Sequence, residues 1–206
     1  MNAIAEPTAT EPKRFPRAVA IEVAEELHGL LAEWCEKTAT GPRIAIVGSV
    51  RRGKPLVKDL ELLYIPELVL EPDPTSLFGE ERKVSAINVA LDWLVSNGTL
   101  AKRLKCDGTA TWGESIRLAV HVRTGLPVDF FAATMENWWN QLVCRTGGKD
   151  SNTAICNAAI ERNLKWSPTS AGFLNPRTGQ LSRTVRCERD AFEIVGLPYL
   201  EPHQRP

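Results

Sequence analysis

The 206-residue sequence holds only three histidines, two methionines and five cysteines. The cysteines, Cys35, Cys106, Cys144, Cys156 and Cys187, include no CxxC pair, and no thiol–imidazole spacing suits zinc. Their odd number points to free thiols, buried or partly buried, and to a reducing, cytoplasmic compartment. A run of about 18 apolar residues is also missing, which excludes a helical membrane span. The N-terminal MNAIAEPTATEPKRFPR has no apolar core of a signal peptide, so nothing in it marks secretion. Net charge is missing too, since 25 basic residues balance 25 acidic ones. Neutrality by itself argues against a nucleic-acid partner, because such proteins are usually basic. Internal repeats and low-complexity tracts are absent. The remaining composition, 43% hydrophobic and 24% charged, is that of a soluble globular chain of one domain, or of two small ones sharing a core.

The neutrality conceals a segregation. Residues 43–66, 82–123 and 141–189 are each basic in excess, whereas the N-terminal 42 residues and the segment Glu67–Glu81 are acidic. A surface assembled from the basic segments would attract a polyanion, with binding that weakens steeply in salt.

Residues 1–15, rich in Pro, Thr and Glu, read as a mobile tail. A helix is predicted from Pro16, with an apolar stripe at Ala20, Ala24, Leu27, Leu31 and Trp34. Gly41-Pro42 ends it, and Arg43–Val47 and Leu60–Ile65 read as buried strands. Glu67–Glu81 reads as an acidic, proline-containing loop leading into a helix through Val84, Ile87, Ala90, Leu91 and Leu94. Strands follow at Leu100–Leu104, Ile116–Val122 and Pro127–Phe131, then helices at Glu136–Arg145 and Thr153–Asn163. A Gly/Pro/Thr-rich stretch (167–179) leads to a short helix at Glu188–Val195. The pattern is α+β: a small mixed sheet flanked by helices over residues 16–134, then a small helical/β unit over residues 135–206.

Two segments carry chemistry. In Ile46-Val-Gly-Ser-Val-Arg-Arg-Gly-Lys54, Gly48 and Ser49 follow a strand where a helix can begin. Glycine permits close approach of a ligand, and the N–H groups of a helix start attract phosphate. Ser49 adds a hydroxyl donor, and Arg51 and Arg52 add charge. In Lys58-Asp-Leu-Glu-Leu62, Asp59 and Glu61 are spaced to share one face of a strand. A third carboxylate, Asp129, is the only charge in Leu126-Pro-Val-Asp-Phe-Phe131 and would be costly there if buried unpaired. Three carboxylates on two neighbouring strands can hold two divalent ions about 3.5–4 Å apart, the arrangement used for in-line displacement at phosphorus.

These residues resemble the nucleotidyltransferase superfamily, and more narrowly the family X (polymerase beta-like) DNA polymerases. Gly48, Ser49, Arg51, Arg52 and Gly53, then Asp59 and Glu61, match the family's glycine–serine turn and paired acids. Asp129 matches its later hydrophobic–Asp motif. Arg145-Thr-Gly147 and Asn152 resemble the turn and asparagine that face the incoming nucleotide, and Gly196-Leu-Pro-Tyr-Leu-Glu-Pro-His-Gln-Arg205 resembles the closing segment. The resemblance spans Arg17 to Arg205, a palm and C-terminal nucleotide-facing subdomain only, like the minimal members found in some viruses and phages.

The resemblance implies a DNA-directed DNA polymerase acting in the cytoplasm, of the cell or of a virus's or phage's host, and filling short gaps in repair. Its partners would be a DNA primer–template and a dNTP, and it would work as a monomer. Asp59, Glu61 and Asp129 would bind two Mg²⁺ (or Mn²⁺) ions. Gly48, Ser49, Arg52 and Gly53 would face the phosphates, and Cys144, Arg145, Gly147 and Asn152 the sugar and base. Glu61 stands where these polymerases have Asp, and Cys144-Arg145 where an aromatic pair checks the sugar. Lys102, Arg103, Arg183 and Arg186 are candidate DNA contacts. Alternatives remain an untemplated nucleotidyltransferase acting on DNA, RNA or protein, and an inactive nucleic-acid-binding module.

Overall fold

The computed structural model describes residues 13–39 and 41–206; most of the tail expected over residues 1–15 lies outside them. Phe15–Pro16 forms strand β1, and Arg17–Leu31 forms helix α1, with Pro16 as its N-cap. A narrow ribbon (β2, Lys37–Thr38; β3, Gly41–Pro42) leads to β4 (Ile44–Val47) and to α2 (Gly48–Arg51), a single turn. β5 (Leu56–Val57) and β6 (Leu60–Tyr64) follow. The segment expected as an acidic loop is a β-hairpin instead, β7 (Leu68–Pro72) paired with β8 (Glu81–Ser85). Leu68, Val69 and Leu70 give it an extended, β-favouring first strand, and only its tip is loop. Helix α3 (Ala86–Ser96) therefore starts after Val84, which belongs to β8.

Strands β9 (Leu100–Lys102), β10 (Ile116–His121) and β11 (Pro127–Ala132) complete the main sheet. Helices α4 (Trp138–Thr146) and α5 (Lys149–Glu161) come next, so Asn152 sits in the first turn of α5. The Gly/Pro/Thr-rich stretch 167–179 carries β13 (Gly172–Leu174), the central strand of a three-stranded sheet completed by β12 (Lys165–Trp166) and β14 (Leu181–Thr184) on either side of it, and α6 (Glu188–Glu193) follows.

The fold is α+β. Its main sheet runs β4-β6-β11-β10-β9, antiparallel throughout except for the parallel pair β6·β11. Alternation along the strands assigns two faces. Leu60, Leu62 and Tyr64 of β6, with Val128 and Phe130 of β11, enter the core built with α1 and α3. Leu63, Ile65, Phe131 and Ala133 enter a second core with Trp138 and Leu142 of α4. Glu61 and Asp129 alternate with the first set, so they emerge on the α4 face, toward the C-terminal unit. That unit has its own core, with Ile155, Trp166, Phe173 and Phe192 among its members. Trp34, expected in the α1 stripe, lies instead in a 3₁₀ turn after the helix and is exposed, because the stripe ends with Leu31.

The five thiols are free; Cys35 is buried, and desolvation pushes it up to about 12. Cys106 and Cys156, expected to be at least partly buried, are exposed. Among the described residues no helix is long and apolar enough to cross a membrane.

A charged cluster joins the two units. Arg51 of α2 donates to Thr146 Oγ1 at 2.6 Å and to both carboxylate oxygens of Glu188 on α6. Arg205, with 0% of its surface exposed, ion-pairs with the same carboxylate at 2.7 Å and donates to Leu200 O at 3.0 Å. Burial would raise the Glu188 carboxyl, but the guanidiniums of Arg51 and Arg205 hold it below its usual range. Removing a shared buried carboxylate strands both cations. Glu188→Ala should therefore cost about 3–5 kcal/mol in denaturant unfolding. Arg51→Ala should cost less, because Arg51 is partly exposed and Arg205 keeps the carboxylate.

Candidate active site

Glu61 and Asp129 are direct partners in the parallel β6·β11 ladder. Asp59 stands two residues before Glu61, just ahead of β6. All three carboxyls are pushed up by burial. Glu61 rises from an ordinary 4.5 to about 7, with the neighbouring charges of Asp59 and Asp129 adding to the desolvation. Arg103, a candidate DNA contact, ion-pairs with Asp129 at 2.8 Å. Its guanidinium and that of Arg145 oppose the rise at Asp129.

Gly48 lies against Glu61. Its φ is +64°, a conformation that favours glycine, and a Cβ there would overlap Glu61 Oε2. The glycine of the turn thus admits the carboxylate beside it, a role distinct from the phosphate contact expected of it. Because α2 is one turn long, it adds little helix dipole, and the donors this side offers are those of its side chains. Ser49 Oγ and Arg52 Nε are buried without hydrogen-bond partners. Arg52 Nη1 donates to Thr146 O at 2.7 Å, which aims the rest of the guanidinium along the turn. Gly53, with φ +74°, closes the turn and does not line the cleft.

Ser49, Arg52, Asp59 and Glu61 line an open cleft of about 510 Å³. The same cleft is lined by Arg14, Lys54 and Lys58, which were not singled out in the sequence. Asp129 is not among its lining residues; it stands beside Glu61, behind the front of the cleft.

The residues expected at sugar and base lie to one side. Asn152 Nδ2 donates to Cys144 O at 2.9 Å, tying α5 to the end of α4. Its Oδ1 is buried without a partner, close to where a Gly147 Cβ would stand. Arg145 stacks over the Phe131 ring at 3.7 Å, its Nε is buried and unpaired, and its charge reaches Glu61. None of Cys144, Arg145, Gly147 or Asn152 lines the cleft. Lys102 lies over Trp112 at 5.1 Å, whereas Arg183 and Arg186 are exposed on the C-terminal unit.

The donor set at Asp59, Glu61 and Asp129 consists of carboxylate oxygen alone, which suits a hard divalent cation such as Mg²⁺ or Mn²⁺. Mutual repulsion at Glu61 is relieved by such a cation, so donor chemistry and backbone placement both fit. Among the described residues, no three His, Cys, Asp or Glu side chains converge as a finished ligand cage. Arg103 supplies the positive charge at Asp129 in their present rotamers.

Residues 141–206 match the family model described as the DNA polymerase beta thumb. The match takes in α5, the three-stranded sheet, Glu188 and Arg205; the three carboxylates lie outside it. No curated protein matches the chain.

Between about pH 4.5 and 7 the folded protein holds a proton at Glu61 that the unfolded chain releases, so stability falls as pH rises through that window. In EDTA at pH 7.5, Glu61→Gln should be more stable than the parent by ~1–3 kcal/mol and should flatten this pH dependence, as read by denaturant unfolding.

Proposed function

We propose that the chain is a nucleotidyltransferase of the polymerase beta kind, adding a deoxynucleotide to the 3′-OH of a DNA primer on a template. The observation that carries this reading is a cleft lined by Asp59 and Glu61 together with Ser49 and Arg52, with Asp129 paired to Glu61 across the β6·β11 ladder. The thumb match at residues 141–206 supports the same relationship from the other half of the chain.

In this reading Asp59, Glu61 and Asp129 hold Mg²⁺ or Mn²⁺. An ion held by these carboxylates would supply Lewis acidity toward the primer hydroxyl and positive charge toward the departing pyrophosphate. Ser49 Oγ–H and Arg52 donate to the β- and γ-phosphates, an interaction that strengthens as charge builds on the leaving group. The 3′-oxygen gives its proton to solvent water and forms the new bond to the α-phosphorus, and the bond from that phosphorus to the bridging oxygen breaks to release pyrophosphate. Glu61, with a carboxyl that titrates near neutrality in the protein alone, must lose its proton to serve. Arg103 must release Asp129, a movement within reach of a flexible side chain, and it then turns toward the nucleic acid expected of it. Gly147 and Asn152 flank the sugar and base.

A primer-extension assay tests the reading. Asp129→Asn should lower incorporation by at least ~10²-fold while leaving the far-ultraviolet circular dichroism unchanged; incorporation at the parent rate would refute the assignment. Running the parent enzyme with and without template, each nucleotide supplied singly, decides between templated synthesis and untemplated transfer. Template-matched incorporation is the expected result.

A further inference from the structure

The β7–β8 hairpin ends in two large apolar side chains that nothing in the fold uses. Leu77 and Phe78, neighbours on the turn between the strands, are 94% and 90% exposed. Single apolar side chains scattered over a surface are ordinary, but an adjacent pair bared to this extent forfeits burial with no return in packing. The turn that bears them is held from within. Asp73 N donates to Glu80 O at 2.8 Å, and Ser76 N donates to Asp73 O at 3.0 Å. Thr75 N and Thr75 Oγ1 both donate to Asp73 Oδ1, and Ser76 Oγ accepts from Phe78 N at 3.2 Å and from Glu80 N at 3.1 Å. The pair is thus presented in a set backbone conformation, which lowers the ordering entropy lost when it is covered.

Charge narrows what can cover it. From Glu71 to Glu81 there are four acids, Glu71, Asp73, Glu80 and Glu81, and no base. Among the described residues none of the four enters an ion pair. Such a rim repels nucleic acid and anionic lipid, and its complement is an apolar cavity edged with cations. The C-terminal unit carries such a cavity. Where the second half of α5 meets the β12–β14 sheet, a hollow of about 370 Å³ is lined by Cys156, Ile160, Leu164, Lys165, Trp166 and Pro176. Ile160 is 70% exposed on its wall. Lys165 and Arg177, which follows Pro176, are exposed and, among the described residues, enter no ion pair. Glu161, beside Ile160, is offset by Arg162 at 3.9 Å. The groove between α1 and α3, lined by Trp34 and Trp93, is apolar too, but the charge on its wall is Glu33, of the hairpin's own sign.

We propose that the hairpin tip of one copy of this chain, with Leu77 and Phe78 as the plug, seats in the Ile160–Trp166 cavity of a second copy, where Lys165 and Arg177 meet the acids around the plug. The family resemblance implies a monomer; this contact makes the chain self-associating. It joins two different surfaces, so it is heterologous, and each copy brings both a plug and a cavity. It uses neither the carboxylates nor their cleft, and it stands whether or not the transfer reaction proposed above does.

Sedimentation velocity of the full chain across a concentration series reads the association directly. The parent should form species larger than the monomer at low salt and lose them as salt rises; a parent that stays monomeric throughout overturns the proposal. Leu77→Ser/Phe78→Ser and Ile160→Glu/Lys165→Glu alter exposed positions, and thermal unfolding checks that both variants fold. Each should weaken association at least about tenfold, whereas Trp93→Ser, in the α1–α3 groove, should associate as the parent does. The hairpin variant still offers its cavity and the cavity variant still offers its hairpin. Mixed in equal amounts, the two should therefore regain a pair made of one copy of each. Parent-level association in either double variant, its loss in Trp93→Ser, or a mixture that remains monomeric overturns the proposal.

Discussion

The clasp of Arg51 and Arg205 on the Glu188 carboxylate is the constraint on which the arrangement of the molecule rests. The three residues come from α2, α6 and the C-terminal segment. Arg51 is adjacent to Arg52, and Arg52 in turn donates to the backbone at Thr146. Fixing Arg51 therefore fixes the orientation of the whole Gly48–Gly53 turn relative to α4. Without that tie, the sheet and the C-terminal unit would meet chiefly through apolar packing around Trp138 and Trp139, which resists separation well and rotation poorly. A buried ion cluster is costly to desolvate, but it specifies one relative orientation.

The carboxylate site shows the opposite economy. Glu61, Asp59 and Asp129 are brought together in a half-buried setting where burial raises all three carboxyls, Asp59 adds to the rise at Glu61 and Asp129, and Asp129 adds to that at Glu61. Gly48 gives up its side chain to make room. Arg103 and Arg145 relieve part of the repulsion without removing it. Residues held against their own preference in this way are typical of sites selected for binding or chemistry, where a ligand supplies the missing compensation.

Much of this could be read from the sequence, for identifiable reasons. Strand alternation is a local signal, so Leu60-Glu-Leu-Leu63 and Val128-Asp-Phe-Phe131 disclosed both the core strands and the carboxylates interrupting them. Helices α1 and α3 were visible through their apolar stripes. The β7–β8 hairpin was not, since Pro72, Pro74 and five acids between Glu67 and Glu81 have the composition of a loop, and only the pairing of Leu68–Pro72 with Glu81–Ser85 makes it a sheet. Arg14 reads as tail from the sequence because nothing near it is regular; its place depends on Phe15 pairing with Val57, 42 residues away. The partners of Arg103 and Glu188 were invisible for the same reason. Charge alone does not say which distant opposite charge a residue meets, so a surface DNA contact and an internal ion pair look alike.

The parallel pairing of β6 with β11 has a kinetic side. Glu61 and Asp129 become neighbours only across this one ladder, after the 67 residues between them, comprising a hairpin, a helix and two strands, have been laid down. Closing such a loop is an entropic cost met before any reward arrives, and parallel, non-local pairings are among the slower steps of folding. During synthesis the Gly48–Gly53 turn and the first two acids, Asp59 and Glu61, thus emerge long before Asp129. The chain passes through a period in which it can collapse around α1 and α3 yet has no assembled acidic centre, so the clustering of negative charge falls late, when the surrounding core is already there to hold it.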